Sequence, residues 1–242
     1  MVQSRTIYFL HFNSLESTQL YAKSHIPSFA KDSISVVWAD RQTKGIGTRG
    51  KKWVSDDENL YTTFVFFISK STDLTHIPKI LISAVMKSLE SLGIELLIKW
   101  PNDLMIEKKK VGGILTEIIH TQDEICCLLG LGLNVNMHKK TLSKIDQPAT
   151  SIFEAMNKTI SIETLLVDIS HHLIDFLVAF ETERLSEMMS LFKKKMVYLG
   201  YDVYHENQKI GKAIGISDDG LLEIVSSDQI KKIAYGSIKI HD

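Results

Sequence analysis

Two spacings of hydrophobic residues along the chain separate predicted strands from predicted helices. Alternating or continuous apolar stretches rich in β-branched and aromatic residues predict strands at 6–12, 33–39, 60–69, 95–100 and 124–136. The stretch LMIEKKKVGGILTEIIH (104–120) predicts a hairpin that turns at its lysines. EICCLLGLGLNVN (124–136) is almost wholly apolar, which is typical of a strand at the centre of a sheet.

Helical spacing occupies the segments between and after these strands. From Thr75 to Leu92 an apolar residue recurs every four positions, which predicts an amphipathic helix that ends at Gly93 in a left-handed conformation. Ser17 or Thr18 is the expected N-cap of an earlier helix. The helices are therefore expected at 17–25, 75–92, 151–157, 161–183 and 184–196.

The pattern of predicted elements changes after Leu199. From there four or five short strands follow each other, separated by Asn, Asp-Gly and Gly turns, a pattern typical of a small β-barrel. The prediction is an α/β (α+β) fold: a mixed sheet flanked by helices over residues 1–196, followed by a small all-β domain over 197–242. A chain of 242 residues suits one large domain with such an appendage.

Composition narrows the class of protein. Hydrophobic residues at 44% and charged residues at 24% are ordinary for a soluble globular protein, and a net charge of −1 gives no overall attraction to nucleic acid. No stretch approaches the roughly 20 apolar residues of a membrane span, and the N-terminal apolar run is too short for a signal peptide. Cys126 and Cys127 are adjacent in a predicted strand, so their side chains are expected on opposite faces and suit neither a disulfide nor a zinc site. A cytoplasmic protein without nucleic-acid or membrane partners is expected.

The segment RQTKGIGTRGKKW (41–53), called the glycine loop below, imitates two nucleotide-binding patterns. Gly45, Gly47 and Gly50 match the dinucleotide fingerprint, and Gly45 to Lys51 match a Walker A motif except that Lys52 stands where Ser or Thr belongs. Both patterns need a helix directly afterwards, because its N-terminus holds the phosphates. Here the chain runs through a polar turn into a strand, so both interpretations are rejected.

The remaining features of the glycine loop still suit an anionic ligand. Glycines permit close approach of the backbone, Arg49, Lys51 and Lys52 carry positive charge, and Trp53 can anchor the far end. Taken alone, the loop could equally be an exposed basic connection. Three further polar or glycine-containing segments at strand ends favour a shared site on one sheet: KWPND (99–103), KKKVGGILTE (108–117) and GLGLNVN (130–136).

In this order and spacing, these motifs resemble those of biotin–protein ligases. The resemblance rests on Ser17-Thr18, the Q-T-x-G-x-G-x-x-G-x-x-W loop, KWPND, K-x-G-G-I-L-x-E and G-x-G-x-N-x-N, and it extends over essentially the whole chain. It implies a sheet like that of class II aminoacyl-tRNA synthetases and a C-terminal SH3-like domain. It also implies the short form of the enzyme, without a DNA-binding module.

The resemblance further implies a two-step reaction. Biotin and ATP give biotinyl-5′-AMP and pyrophosphate with the help of Mg²⁺, and a lysine of a biotin carboxyl carrier protein, such as that of acetyl-CoA carboxylase, then takes the biotinyl group. Family members often dimerise through the sheet, so a homodimer is a further expectation. Which carboxylase is served is left open.

Site residues are carried over on the matching motifs. Lys110 is expected to bind the biotin carboxylate and the α-phosphate, with Arg49 the second catalytic candidate and Asp103 a Mg²⁺ contact or the partner of a neighbouring site residue. The residues expected to bind biotin or nucleotide are Ser17, Thr18, Gln42, Gly45, Ile46, Gly47, Thr48, Arg49, Lys51, Trp53, Lys99, Asn102, Lys110, Gly113 and Asn134.

The glycine loop departs from the family pattern at two positions. Most members carry arginine where this chain has Ile46 and Thr48, so we expect a weaker hold on biotinyl-AMP, with Arg49 and Lys51 compensating in part. Two alternatives stay open. One is a lipoate–protein ligase-like enzyme, although the arginine-containing motif of that group is absent. The other is a biotin-binding protein with weakened catalysis.

Overall fold

The computed structural model describes residues 5–182, 184–205, 208–227, 229–233 and 238–240. Within these ranges, seven strands form a large sheet. They are β1 (Thr6–Leu15), β2 (Ser33–Gln42), β3 (Leu60–Ile68), β4 (Leu97–Lys99), β5 (Asp103–Ile106), β6 (Lys109–His120) and β7 (Ile125–Leu133). All the predicted strands of this part are present, with β4 shorter than its apolar run and β5–β6 forming the expected hairpin around Glu107.

The strand order of the large sheet is β1-β2-β3-β7-β6-β5-β4. The first pair, β1 with β2, is parallel, whereas the other pairs are antiparallel, so the sheet is mixed as predicted. β7 occupies the centre, which agrees with its nearly continuous apolar sequence. The arrangement brings β3, β7 and β6 side by side, although β6 and β3 are far apart in sequence.

Side-chain alternation divides residues between the two faces of the sheet. Cys127 belongs to the larger apolar cluster on the face covered by α2 (Ile77–Ser91) and α5 (Ile162–Glu181), whereas Cys126 belongs to a smaller cluster beside α1 (Thr18–Ser24). Both thiols are free and buried, and burial raises the pKa of each to about 12. The predicted placement of the two cysteines on opposite faces is confirmed.

The other helices are α3 (Lys139–Leu142), α4 (Ile152–Met156) and α6 (Ser186–Lys194). The Ser161 hydroxyl caps α5 by accepting a hydrogen bond from the backbone N–H of Thr164, and Gly93 follows α2 with φ +77°. Helix α3 has only four residues and was not predicted, because it carries no apolar repeat long enough to detect.

A second sheet follows Tyr201. In the described part of 197–242 it holds β8 (Asp202–His205), β9 (Gln208–Ile216), β10 (Leu222–Ser226), β11 (Gln229–Ile233) and β12 (Ile238–Ile240), in the order β11-β10-β9-β8-β12. Residues 206–207, 228, 234–237 and 241–242 of the predicted C-terminal domain lie outside the described residues. Val203 and Leu222 belong to the same apolar cluster as α2, so the small sheet packs directly on the main domain.

None of the helices in the described ranges is both long enough and apolar enough to cross a membrane.

Candidate active site

The glycine loop folds back on itself as a narrow, hairpin-like excursion. The backbone N–H of Trp53 donates to the Gly45 carbonyl at 2.9 Å, and Ile46 and Lys52 form an isolated antiparallel bridge. The tip is a single 3₁₀ turn at Thr48–Gly50, in which Arg49 (φ 60°) and Gly50 (φ 72°) adopt left-handed conformations. The chain then runs to β3 without an α-helix. This geometry confirms that neither nucleotide fingerprint applies.

Behind the glycine loop lies a cavity of about 580 Å³ on the α1 face of the large sheet. Four sequence motifs that are distant along the chain meet there, as predicted. The predicted binding residues that line the cavity are Ser17, Thr18, Gln42, Ile46, Gly47, Thr48, Lys51, Trp53, Asn102, Lys110, Gly113 and Asn134. The charged side chains among all the lining residues are Lys51, Lys52, Lys110, Lys144 and Asp146, so positive charge is in excess and suits an anionic ligand.

Glycines on β6 and β7 make room for this cavity. A Cβ atom at Gly132 would lie 2.5 Å from Cε2 of the Trp53 indole, and a Cβ at Gly130 would lie 2.6 Å from Oε1 of Gln19. Gly113 faces the same side, where an added Cβ would be 3.4 Å from Cε of Lys110. The glycines of β6 and β7 therefore let Trp53, Gln19 and Lys110 approach the sheet backbone closely.

Lys110 marks the cationic part of the cavity, called here the lysine end. Its ammonium Nζ lies 2.5 Å from Oδ1 of Asp103 and 5.2 Å from the centre of the Trp53 ring. Its backbone is fixed on both sides, because its N–H donates to the Pro148 carbonyl and its carbonyl accepts from Thr150 N–H. The β5–β6 register shifts beside Lys110, which pairs with Met105. The ammonium is thus positioned by strand geometry before any ligand binds.

Gln42 marks a neutral hydrogen-bonding part of the cavity, called here the amide end. Its Oε1 accepts from the backbone N–H of Thr18 at 2.9 Å, and its Nε2 donates to Oγ of Ser55 at 3.0 Å. Ser17 occupies the N-cap position of α1, yet its hydroxyl makes no capping hydrogen bond. The prediction that Ser17 or Thr18 is the N-cap of this helix is therefore confirmed for the position of Ser17, although the Ser17 side chain does not cap it.

Two asparagines complete the lining. Asn102 donates from Nδ2 to the Ile114 carbonyl at 2.6 Å, which ties the KWPND segment to β6. Asn134 is 2% exposed and donates from Nδ2 to the Thr150 carbonyl at 2.9 Å. Its Oδ1 is buried with no hydrogen-bond partner within the described part of the chain, as is Nε1 of Trp53. Unsatisfied buried polar atoms of this kind at a cavity are candidates for ligand contacts.

Four predicted site residues lie off the cavity lining. Gly45 packs behind it, since a Cβ there would lie 2.4 Å from the Ser55 hydroxyl oxygen. Asp103 contributes through its ion pair with Lys110. The ammonium of Lys99 lies 5.8 Å from the centre of the Tyr198 ring, and Arg49 is exposed at the tip of the glycine loop. Direct ligand contact by Arg49 would require the loop to rearrange.

Other lining residues escaped the sequence interpretation. Gln19 directly follows Ser17-Thr18, and Gly130 and Gly132 were noted within a motif but not assigned a role. The segment after α3 matches no motif in the sequence. It reaches the cavity because its backbone pairs with Lys110, a contact that the sequence does not show. The lining residues without a predicted binding role are Gln19, Lys52, Val54, Thr62, Ile114, Leu115, Gly130, Leu131, Gly132, Lys144, Ile145, Asp146, Gln147 and Ala149.

The fold and the site define a mixed-sheet α/β protein with a cavity behind a glycine loop, and the excess of positive charge in this cavity suits an anionic small molecule. The chain belongs to the Biotin/lipoate A/B protein ligase family, whose model matches residues 11–134. That match takes in the glycine loop, KWPND, the Gly113 motif and Asn134, and therefore contains both ends of the cavity.

Individual proteins of the family resemble the chain over most of its length. It is 28% identical over 248 residues to the bifunctional ligase/repressor BirA of Bacillus subtilis, covering 96% of this chain and 74% of that protein. It is 27% identical to BirA of Escherichia coli, covering 93% and 72%. The structure of the biotin protein ligase from Aquifex aeolicus in complex with biotin and ATP matches with a TM-score of 0.82 and 30% identity, covering 97% of this chain and 98% of that one.

Proposed function

We propose that this protein is an ATP-dependent biotin–protein ligase, which activates biotin as biotinyl-5′-AMP and transfers the biotinyl group to a lysine of a carrier protein. The family and the named relatives support ligation with biotin as the substrate. The observation that carries the proposal is the placement of Lys110 and Gln42 in one cavity. One supplies a fixed cation and the other a neutral set of donors and acceptors, and biotin carries a carboxylate and a neutral ureido ring.

In the first step the two reacting groups are both anions. An oxygen of the biotin carboxylate attacks the α-phosphorus of ATP, and the bond from that phosphorus to the bridging oxygen breaks to release pyrophosphate. Lys110 would attract both the carboxylate and the α-phosphate, which lowers the repulsion between them. Asp103 and the Trp53 ring hold the ammonium in place. Binding both partners beside one cation also converts their meeting into an intramolecular event.

The nucleotide would lie toward Asn134. The adenine amino group is a hydrogen-bond donor, and Oδ1 of Asn134 is a buried acceptor without a partner in the described residues. Lys51, Lys52 and Thr48 would face the phosphates from the glycine loop. Lys99 and Arg49 would contact the phosphates only after their segments move. Ile46 and Gly47 would contribute backbone contacts.

In the second step a lysine amine of the carrier protein attacks the acyl carbonyl of biotinyl-5′-AMP. An amide bond forms, the mixed anhydride bond to AMP breaks, and the amine loses a proton. A biotin carboxyl carrier protein, such as that of acetyl-CoA carboxylase, is the proposed acceptor. Its lysine would have to reach the cavity next to the glycine loop, because residues of this loop line the cavity.

The described residues do not build a metal site by themselves. They contain no group of three or more His, Cys, Asp and Glu side chains that could hold an ion, and the Asp103 carboxylate is engaged by Lys110. Mg²⁺ is usually held by substrate phosphates with one or two carboxylates. We therefore propose that Mg²⁺ enters with ATP and assign no step to a metal held by this chain.

Four further proposals accompany the enzyme assignment. The division into a catalytic domain (1–196) and an SH3-like domain (197–242) is supported by the change from the large sheet to the small one near Tyr201. A relation of the large sheet to class II aminoacyl-tRNA synthetases and a homodimer formed through this sheet follow from the resemblance alone. A cytoplasmic location is likewise proposed from the sequence alone.

The function is tested by two measurements on the purified protein. Biotin-dependent release of pyrophosphate from ATP would report the first step, and transfer of radiolabelled biotin to a carrier domain would report the second. Lipoate with a lipoyl carrier domain is the parallel arm, since the family includes lipoate ligases. Pyrophosphate release without transfer would leave a biotin-activating protein with weakened catalysis. Use of lipoate in place of biotin would overturn the proposal.

A further inference from the structure

Glu117 ends the K-x-G-G-I-L-x-E motif but does not line the cavity. Its carboxylate accepts two hydrogen bonds, at 2.9 Å from Nε2 of Gln19 and at 2.7 Å from Nζ of Lys23. Gln19 belongs to α1 and is 4% exposed. The glutamate therefore ties α1 to β6 immediately behind the amide end of the cavity.

This contact determines which way the Gln19 amide points. A carboxylate can only accept hydrogen bonds, so the Nε2 side of Gln19 must face Glu117. The opposite side, Oε1, then lies 3.1 Å from the hydroxyl of Thr63, which is fully buried on β3. Gly130 leaves the space for this carbonyl, because a Cβ there would lie 2.6 Å from Oε1.

The chain of hydrogen bonds continues to the cavity surface at Thr18. Its hydroxyl lies 3.0 Å from Oγ1 of Thr63 and 3.3 Å from Oε1 of Gln42. The backbone N–H of Thr18 also donates to this atom, which identifies it as the amide oxygen of Gln42, and an amide oxygen can only accept. The Thr18 proton therefore has an acceptor inside the protein at Gln42. A lone pair of Thr18 is left to face the cavity.

The direction of these bonds is strongly determined because the groups are buried. Thr18, Gln19 and Thr63 are at most 4% exposed, and an unsatisfied donor or acceptor there would lose its solvation without compensation. Neighbouring hydrogen bonds in such a network also polarise one another. Glu117 and Lys23 close the chain at its outer end with an ion pair.

We propose that Glu117, Gln19 and Thr63 are positioning residues that hold Thr18 as a hydrogen-bond acceptor toward the cavity. The cavity thereby selects a head group with N–H donors. This inference rests on the proposed function and deepens it. The ureido ring of biotin carries two N–H groups, whereas the dithiolane ring of lipoate carries none. The network therefore provides a physical reason for binding biotin in preference to lipoate.

The test uses Thr63→Val, which removes one hydroxyl at nearly constant volume, and Glu117→Gln, which lets the Gln19 amide turn over. Matched controls are Thr116→Val, one position before Glu117 in β6, and Glu124→Gln. The Glu124 carboxylate also pairs with a lysine, at 3.3 Å, and its side chain is 31% exposed against 29% for Glu117. Biotin is compared with its two cyclic carbamate analogues, each with one ureido N–H replaced by oxygen. The readout is kcat/KM for pyrophosphate release.

The wild-type protein is expected to use biotin at least about tenfold better than one of the analogues, which corresponds to one lost hydrogen bond. In Thr63→Val this ratio should fall to within about twofold, because Thr18 loses its 3.0 Å contact with Thr63 and keeps only the longer contact, 3.3 Å to Oε1 of Gln42, so that its proton can turn to the ring oxygen. Glu117→Gln should lower the ratio to a smaller extent. The KM for ATP should stay within about twofold of wild type in both variants, since neither residue lines the lysine end.

The ratio of kcat/KM for biotin to kcat/KM for the analogue distinguishes a positioning role from general loss of structure. A misfolded fraction would lower kcat/KM for biotin and for the analogue alike and leave the ratio unchanged. If Thr63→Val does not fold, Glu117→Gln on the partly exposed side of the network gives the same readout. An unchanged ratio in the folded variants, or an equal fall in the controls, would overturn the inference while the ligase activity stands. A wild-type protein without biotin-dependent pyrophosphate release would overturn the proposed function and this inference with it.

Discussion

Nζ of Lys110 lies 2.5 Å from Oδ1 of Asp103, across the β5–β6 hairpin. The side chains are 16% and 25% exposed, so the pair is largely shielded from solvent at one end of the cavity. The two motifs that supply these residues, KWPND and KKKVGGILTE, are separated by the hairpin turn at Glu107. The ion pair fixes where positive charge is presented to an anionic ligand.

Replacing Lys110 tests this charge directly. Lys110→Met keeps much of the aliphatic stem but removes the cation, so biotin-dependent pyrophosphate release should fall by about 100-fold or more. Lys109→Met removes a charge one residue away at an exposed position and should change the rate by no more than about twofold. Retention of more than a tenth of the wild-type rate by Lys110→Met would contradict the role assigned to Lys110.

The close packing of Trp53 on Gly132 gives a second prediction. A Cβ at residue 132 would lie 2.5 Å from the indole, so Gly132→Ala should displace Trp53 and raise the KM for biotin and ATP by about tenfold. Gly215→Ala is the matched control in a strand of the small sheet, where the nearest atom to an added Cβ is 3.5 Å away.

A double-mutant cycle distinguishes displacement of Trp53 from general strain at Gly132. In a Trp53→Ala background the Gly132→Ala change should have little further effect on either KM, because the colliding ring is absent. Additive effects of the two substitutions would show that Gly132 acts independently of Trp53.

The position of Thr48 makes the missing arginine of the glycine loop testable. Thr48 lines the cavity, whereas Arg49 is exposed at the loop tip. Thr48→Arg should therefore slow dissociation of biotinyl-5′-AMP by about fivefold or more through a charge-assisted contact with its phosphate. Thr43→Arg adds the same charge away from the cavity and serves as control. Equal dissociation rates for wild type and Thr48→Arg would show that residue 48 does not contact the intermediate.

Lys79 gives a prediction for stability and pH. It is 5% exposed, its Nζ donates to the Thr75 carbonyl, and burial lowers its pKa from 10.5 to about 8 despite Asp73 and Asp219 nearby. Below pH 8 the folded state must hold a buried charge. Between about pH 8 and 10.5 the unfolded chain binds more protons than the folded one, so stability from this group rises with pH.

Lys79→Met should consequently increase the free energy of unfolding at pH 7, by an amount on the order of 2 kcal/mol. The difference from wild type should shrink as the pH is raised from 8 toward 10. Urea titrations of both proteins across this range provide the measurement. A difference that is constant with pH, or that grows above pH 8, would mean that Lys79 is not held with a lowered pKa.

The local elements of this protein follow from its sequence to a large extent. Two-residue alternation in β-rich segments located the strands of the large sheet, and the four-residue apolar spacing with Gly93 located α2, because both signals arise from neighbours along the chain. The short helix α3 and the exact ends of β4 were not predictable, since too few residues carry the pattern. The family motifs likewise pointed to Lys110, Gln42 and Trp53 without knowledge of the tertiary arrangement.

Tertiary structure alone decided which of these residues face a common cavity. Strand register places Gly130 opposite Thr63 and Leu115, and the turn after α3 pairs with Lys110, contacts that link positions far apart in sequence. The hydrogen bonds from Glu117 through Gln19 to Thr18 likewise join α1, β6 and β3. A linear pattern specifies the face on which a side chain lies, but pairing between strands decides what that face meets. This is why sequence located the motifs and only the fold revealed the network behind them.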